Sequence, residues 1–505
     1  MDESVIERNL IQRVNVGDML TRTAWRKPDV EAVIDGERRL TYADLNALTN
    51  RLANSLRARG IGRGDPVLLV AGNCVEFLQA YYACAKIGAV CVPVNLLWGP
   101  GEVGYVVDHC KARLGLVEPM FAPLVPDSLE TMVGPFELGE DASEPECYVE
   151  DRDPVGYMYT SGTTSAPKGV VQSHLAVYVD AISVALAWSF DEEWRYALFM
   201  PLFHTAALAL ATSALFRGST IVLMRGFDPD ALLETIERER ISYFLALPMM
   251  IRGLMETPGF ERHDLASLKL VGYAMAPMPD EDLRRAIDAF GCDFALGFGQ
   301  TEMAPLTTLF SPEDQLRFPG SVGRQIPNVQ TAIMDFEGNL LAPGQTGEIV
   351  YRSPQAMNEY LHDEKATEQA FRGGWFHSGD VGRFDEQGVL WFEDRLKDVI
   401  KTGGENVASI EVERALYDAE PRILECVVIG LPHPKWGEAI TAFVTPRPGV
   451  RLTEDDVIEA ARARLAPFKL PKGVIFTDEL PRTSTGKVQK NVLREQYGPA
   501  RMRAT

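Results

Sequence analysis

Tyr157-Met158-Tyr159-Thr160-Ser161-Gly162-Thr163-Thr164-Ser165-Ala166-Pro167-Lys168-Gly169-Val170 sets an apolar, strand-like run against a loop of hydroxyls, glycines and one lysine. That composition suits a loop folded round a polyphosphate. Glycine lets the backbone approach closely, hydroxyls donate hydrogen bonds, and the lysine supplies positive charge. It is not a Walker A loop, because Pro167 stands fifth after Gly162 and no Gly-Lys-Ser/Thr follows. A Ser/Thr/Gly cluster is more often a solvated linker. Here a strand at 155–159 precedes it and an apolar segment from His174 to Trp188 follows, and this context points to phosphate.

On either side of the loop, strand and helix alternate. Thr41 and Asp44 open a helical run with Leu45, Leu48, Leu52 and Leu56 on one face, ended by Gly60. Val67–Ala71 and Ala89–Val94 read as buried strands, Val75–Ile87 and Glu102–Cys110 as helices, and Leu114–Val117 as extended. Beyond the loop, strands are expected at 220–224, 242–246, 268–272 and 293–296, with helical patterns at Pro229–Glu239 and Asp280–Phe290 between them. Such alternation predicts an α/β fold with parallel-rich sheets wrapped by helices. Residues 328–395 carry short extended runs and turn pairs, which suggest a small β-rich, barrel-like subdomain. The last hundred or so residues read as helix 408–419, strands 423–429 and 438–445, helix 453–465, strand 473–478 and a polar tail. They form an α+β unit large enough to fold alone.

At 505 residues the chain exceeds one ordinary core. Its hydrophobic fraction of 46% and charged fraction of 24% are those of a globular protein. No apolar run reaches the roughly eighteen residues that span a bilayer, and the start, Met1-Asp2-Glu3-Ser4, is acidic rather than signal-like, so a cytoplasmic protein is expected. A net charge of −21 disfavours nucleic acid as a partner, although a locally basic groove could still hold a nucleotide. The seven cysteines form no CxxC and the seven histidines no HxxxH, so the sequence offers neither a zinc site nor a disulfide framework.

Four further segments bear on chemistry. Gly297-Phe298-Gly299-Gln300-Thr301-Glu302 is no dinucleotide fingerprint, because Glu302 replaces the third glycine. An aromatic between glycines can lie on a purine, and Glu302 can hold Mg²⁺ at triphosphate oxygens; Glu302 equally serves as a helix cap. Asp380, in Trp375-Phe376-His377-Ser378-Gly379-Asp380, can accept two ribose hydroxyls or be a plain turn aspartate. Asp394-Arg395-Leu396-Lys397-Asp398, followed by Thr402-Gly403-Gly404-Glu405-Asn406, mixes charge and glycine at the start of the last unit, as a solvated linker also would. Pro481-Arg482-Thr483-Ser484-Thr485-Gly486-Lys487 is a polar loop ending in lysine, in a position where disordered tails are common.

In this order, these segments resemble the adenylate-forming superfamily of acyl-CoA synthetases, non-ribosomal peptide adenylation domains and firefly-type luciferases. The resemblance spans essentially the whole chain, from the helix near Asp44 to Lys487. It implies an adenylation domain over 1–394, a hinge at 395–397 and a mobile α+β lid over 398–505, with ATP, Mg²⁺ and coenzyme A as the small molecules used. By the same resemblance Thr160, Ser161, Gly162, Thr163, Thr164 and Lys168 close on the β- and γ-phosphates, and Phe298, flanked by Gly297 and Gly299, stacks on adenine where relatives carry tyrosine. Thr301 and Glu302 lie beside the α-phosphate, with Glu302 and Thr163 toward Mg²⁺, and Asp380 and Arg395 contact the ribose. Lys487 bridges the attacking carboxylate and the α-phosphate, and Lys397 is the hinge. Gly403 and Gly404 face the pantetheine channel. His204, in Pro201-Leu202-Phe203-His204, guards an acyl pocket lined by Thr205, Tyr273, Ala274, Met275, Met303 and Ala304, while Ala276 and Pro277 touch adenine.

The sequence departs from the family pattern at Ser165, where glycine is common, at Phe298, and at Arg352-Ser353, where Arg-Gly is more frequent. None of these removes a charge that the chemistry needs. Amino-acid-activating relatives carry an aspartate shortly after the segment matching Pro201–His204; Thr205-Ala206-Ala207-Leu208-Ala209-Leu210 has none, which predicts an apolar acid without a free amine. The small side chains suggest room for a long or bulky acyl group, or serve helix packing. Eighteen residues follow Lys487, so free coenzyme A is the expected acceptor. A separate carrier protein, a homodimer, a luciferase-like oxygenase and a non-catalytic adenylate-binding protein stay open as alternatives.

Overall fold

The computed structural model describes residues 3–136, 138–160, 167–274, 278, 280–482 and 488–502. They divide into two compact units, one comprising residues up to 160, 167–331 and 351–376, the other 332–350 and 377 onward. The line between them falls before the expected hinge at 395–397, which is internal to the second unit.

The first unit carries two sheets. In one, seven strands run in the order Glu359–Tyr360, Lys168–Ser173, Pro154–Thr160, Val90–Pro93, Pro66–Val70, Leu114–Val117 and Thr131–Val133. Val90–Pro93, Pro66–Val70 and Leu114–Val117 are parallel and buried on both faces, as their aliphatic runs required. The other sheet has nine strands, with Glu31–Asp35, Thr220–Leu223, Arg195–Leu198, Tyr243–Ala246, Leu270–Tyr273 and Asp293–Gly299 parallel neighbours in that order. The hairpin Glu31–Asp35/Arg38–Thr41 and the strand Arg195–Leu198 escaped the sequence reading, being only four or five residues each. Helix Tyr42–Ala58 starts where Thr41 and Asp44 predicted: each side chain bonds the other's backbone N–H, a capping box that contributes about 1 kcal/mol.

Helix His174–Ala187, which follows the phosphate-loop hairpin, is tied to the N-terminal helices by a neutral histidine. His174 is fully buried and its Nδ1 accepts the Val16 N–H at 3.1 Å. Burial pushes its imidazole down to about 3, whereas an unfolded histidine protonates near 6.5. The unfolded chain therefore gains a proton first, and the stability held above pH 6.5 is lost progressively as pH falls toward 3. Going from pH 6.5 to 5 is expected to cost about 2 kcal/mol through this one side chain. Urea unfolding of the wild type and His174→Gln at both pH values checks this. The variant should show the smaller acid loss, and parallel curves would refute it.

Strands Gln330–Met334, Gly347–Arg352, Phe376–Phe384 and Leu390–Arg395, most of whose residues belong to the second unit, pair in sequence order as a four-stranded sheet, the β-rich segment expected there. The C-terminal part packs helices Ser409–Ala419 and Glu454–Arg462 beside a sheet built on the long hairpin Ile423–His433/Gly437–Pro446. One expectation fails. The residues taken for a polar tail include helix Lys490–Met502, whose Leu493 and Tyr497 pack against Val427, Ile429 and Phe443. Among its described side chains those two pack on the core, too few to stand out among the charges. Polar contacts do the rest: Lys490 Nζ reaches Ser409 Oγ at 2.5 Å and Glu413 Oε1 at 2.9 Å, and Arg494 pairs with Asp398 at 2.7 Å.

Candidate active site

The hairpin Pro154–Thr160/Lys168–Ser173 presents the phosphate loop; its last described cross-strand pair is Thr160 with Lys168. Ser161, Gly162, Thr163 and Thr164 lie outside the described residues, as do Met275, Ala276, Pro277 and Lys487. Tyr159 anchors the hairpin, its hydroxyl 2.8 Å from His109 Nδ1 on helix Pro100–Cys110. Gln172, buried on the return strand, donates from Nε2 to Thr301 O at 2.8 Å, linking the hairpin to the Thr301-Glu302 turn.

That turn is over-determined. Strand Asp293–Gly299 pairs antiparallel with Leu306–Phe310, and a Cβ at Gly299 would run into the Pro305 carbonyl, so the third residue of Gly-Phe-Gly must be glycine for the chain to double back. Thr301–Met303 then forms a single 3₁₀ turn. The fully buried Gln355 donates to Met303 O and Leu306 O, both at 2.6 Å, and Met357 N–H donates to Glu302 O at 2.8 Å. The Glu302 side chain is held separately: Tyr360 donates its hydroxyl to Oε1 at 2.8 Å. Lys168 Nζ sits 5.0 Å over the same Tyr360 ring and 3.6 Å from Asp363. The structure thus brings Lys168 and Glu302, predicted from distant motifs, to one tyrosine, Lys168 over its ring and Glu302 at its hydroxyl. Sequence reasoning missed Gln172, Gln355 and Tyr360, since single polar residues in extended segments carry no periodic signal.

Phe298 lies on the same strand, opposite Thr308. Asp380 and Arg395 are direct cross-strand partners in the second unit, with Arg395 Nε 2.8 Å from Asp380 Oδ1. Asp380 is almost fully buried and Arg395 half exposed, so the guanidinium offsets the cost of burying the carboxylate. Lys397 follows on the chain with an exposed side chain, and partial desolvation pushes its ammonium down. Gly403 and Gly404 (φ +61° and +88°) form the two-residue turn of hairpin Ile400–Thr402/Glu405–Val407. Positive φ at both central positions is a type I′ requirement, so the hairpin alone explains the pair as well as a channel would.

His204 precedes helix Thr205–Arg217 and borders a small apolar cavity with Met200, Pro201, Ala206, Ala207, Leu245, Ala246, Leu247 and Ala274. At about 10 Å³ its centre has room for one water. Thr205, Met303 and Ala304 are buried but outside this lining. Tyr273 points to the other face of its strand, where its hydroxyl donates to Gln315 Oε1 at 2.7 Å. No carboxylate borders the cavity, and among the described residues no three His, Cys, Asp or Glu side chains cluster as a metal site. Burial raises the thiols of Cys74, Cys110 and Cys292 to about 12, so none of these is an activated nucleophile.

Residues 20–361 match the AMP-binding enzyme family, and residues 411–487 match the AMP-binding enzyme C-terminal domain. This chain belongs to the AMP-binding enzyme family. It is 36% identical over 503 residues to the long-chain-fatty-acid–CoA ligase FadD13 of Mycobacterium tuberculosis, covering 96% of this chain and 98% of that protein. It is 35% identical over 489 residues to a feruloyl-CoA synthase of an Amycolatopsis species, covering 96% and 99%. The ATP-bound structure of MatB from Rhodopseudomonas palustris superposes with a TM-score of 0.87 at 30% identity, over 96% of this chain and 99% of that one. The fold class and the resemblance expected from the motifs are borne out: this AMP-binding enzyme is an adenylate-forming acyl-CoA synthetase of the two-domain type.

Proposed function

We propose that the enzyme activates an apolar carboxylic acid lacking a free amine, and that coenzyme A takes the acyl group. In the first step a carboxylate oxygen attacks the α-phosphorus of ATP, the bond to the bridging oxygen breaks, and pyrophosphate leaves. In the second the coenzyme A thiolate attacks the acyl carbon, the acyl C–O bond breaks, and AMP leaves with the electron pair. The observation that carries this reading is the junction of the phosphate hairpin, Lys168 and the Tyr360-held Glu302. The names of the two relatives support coenzyme A as acceptor, one specifying a long-chain fatty acid and the other a feruloyl group. They disagree about the acid.

Lys168 would neutralise the departing pyrophosphate, Asp380 would hold the ribose with Arg395, and Lys487 would offset repulsion between the acid and the triphosphate. Residues 1–394 would form the adenylating body, 395–397 the hinge and 398–505 the lid that exchanges Lys487 for the Gly403–Gly404 turn between steps. A lone carboxylate such as Glu302 fits a Mg²⁺ carried mainly by phosphate oxygens and water, with Thr163 as a further oxygen donor. Bound there, the cation would stabilise charge gathering at the phosphates.

Incubating the enzyme with ATP, coenzyme A and a panel of short, long, aromatic and polycyclic acids should give AMP, pyrophosphate and a thioester. A thioester formed only on a phosphopantetheine carrier would move the enzyme to the carrier-loading class. If Tyr360 positions Glu302, Tyr360→Phe should lower adenylation about tenfold, the loss expected for one charge-assisted hydrogen bond, and raise the Mg²⁺ concentration needed for half-maximal exchange. An unchanged Mg²⁺ titration would remove Tyr360 from that role.

A further inference from the structure

Behind Leu245, a wall residue of the small cavity, stands an unusual pair of glycines. Gly272 and Gly297 stand in the interior of neighbouring parallel strands of the nine-stranded sheet, where glycine packs nothing and weakens the strand. Their missing side chains leave a slot, and the indole of Trp188 fills it. A Cβ at Gly297 would lie 2.9 Å from Trp188 Cζ2, and one at Gly272 would lie 3.0 Å from Trp188 Cζ3. The same point on Gly272 is 3.1 Å from Leu245 Cδ1 and 2.7 Å from the Tyr243 hydroxyl. Leu245 is itself cavity wall, and Ala274, two residues along the strand from Gly272, lines the cavity. Leu245 is therefore shared between the cavity wall and the Trp188 slot, and the indole stands about 7 Å below Ala274, two strand residues down.

Tyr243 supplies a second, independent observation. It is 1% exposed, and its ring is wedged among Trp188, Phe190 and Tyr196 at 5.7, 5.0 and 5.0 Å between centroids. Its hydroxyl, lying over Gly272, has no hydrogen-bond partner among the described residues. A buried hydroxyl without a partner costs about 1–3 kcal/mol, a cost that a ligand group bonding it past Leu245 would recover.

Resting on the reading above, we propose that Trp188 and Tyr243 close the far end of the acyl pocket. The enzyme then selects a compact acid, about one ring in size, with a hydroxyl or carbonyl at its distal end, over a long straight chain. The small residues Ala206, Ala207 and Ala274 accommodate the width of such an acid, and Trp188 sets its length. This reverses the expectation that small side chains signal room for a long acyl group.

The test is acid-dependent pyrophosphate exchange with benzoate, 4-hydroxybenzoate, 4-hydroxycinnamate, octanoate and hexadecanoate. The wild type should favour the hydroxylated ring acids over hexadecanoate by at least about 100-fold in kcat/KM, since a chain that cannot pass the indole loses most of its burial. Trp188→Ala should raise octanoate or hexadecanoate about tenfold or more relative to the ring acids, with Trp188→Phe intermediate. Tyr243→Phe, which keeps the packing, should cut the ratio of 4-hydroxybenzoate to benzoate about tenfold, one hydrogen bond's worth. Melting temperatures of all variants guard against misfolding. A wild type that prefers hexadecanoate, or acid profiles in Trp188→Phe and Tyr243→Phe that parallel the wild type, would overturn the proposal while leaving acid activation intact. Exchange with no acid at all would overturn the parent reading as well.

Discussion

Replacing Lys487 with alanine is expected to reduce acid-dependent pyrophosphate exchange about 10²–10³-fold, the usual loss when one preorganised charge stabiliser is removed from a reacting centre. Thioester formation from a preformed acyl-adenylate should continue at close to the wild-type rate. The asymmetry follows from charge. In adenylation an anionic acid approaches an anionic triphosphate, in a protein whose net charge is already −21, and a cation between them is needed. In thioester formation the acyl carbon is already activated and the same lysine has no developing phosphate charge to meet. Stopped-flow or quench measurement of the two half-reactions separately decides the matter. Equal loss in both would make Lys487 a structural residue.

Lys397→Pro is expected to divide the half-reactions the other way. Leu396 N–H donates to Gly379 O at 2.8 Å and Asp398 N–H to Arg395 O at 2.8 Å, so the backbone on either side of Lys397 is held in the conformation seen here. A proline ring locks φ near −65° and restricts the preceding residue, removing the dihedral freedom a hinge uses. Pyrophosphate exchange should stay within about threefold of wild type, while thioester formation falls about 100-fold because the second arrangement is no longer reached. Lys397→Ala, which keeps the backbone free, should leave both steps far less affected. Equal loss of both steps in the proline variant would count against a hinge at this residue.

Much of the scaffold was legible because it is periodic or capped. The Thr41/Asp44 box marked a helix start to the residue, and the buried parallel strands announced themselves as unbroken aliphatic runs. Asp380 and Arg395 were readable as motif residues, and their cross-strand pairing is what puts them side by side. The polar scaffolding of the site was not legible. Gln172, Gln355 and Tyr360 converge on the Thr301-Glu302 turn from 50 to 130 residues away, and only tertiary pairing brings them there. Tyr273 shows the limit of motif transfer: the motif places the segment at the pocket, but strand alternation sends this side chain to the opposite face, toward Gln315. Trp188 shows the converse. It sat at the end of an apolar helix as an ordinary core residue until the two glycines that make room for it were seen on adjacent strands.

Oxygen-isotope transfer tests the central claim most directly. With an acid that the enzyme turns over, labelled with ¹⁸O in its carboxylate, mass spectrometry of the released nucleotide should find AMP carrying one ¹⁸O, because the carboxylate oxygen that attacks the α-phosphorus stays with the phosphate when the acyl group leaves for the thiol. Unlabelled AMP, or label found in inorganic phosphate beside ADP, would contradict an acyl-adenylate and the account built on it.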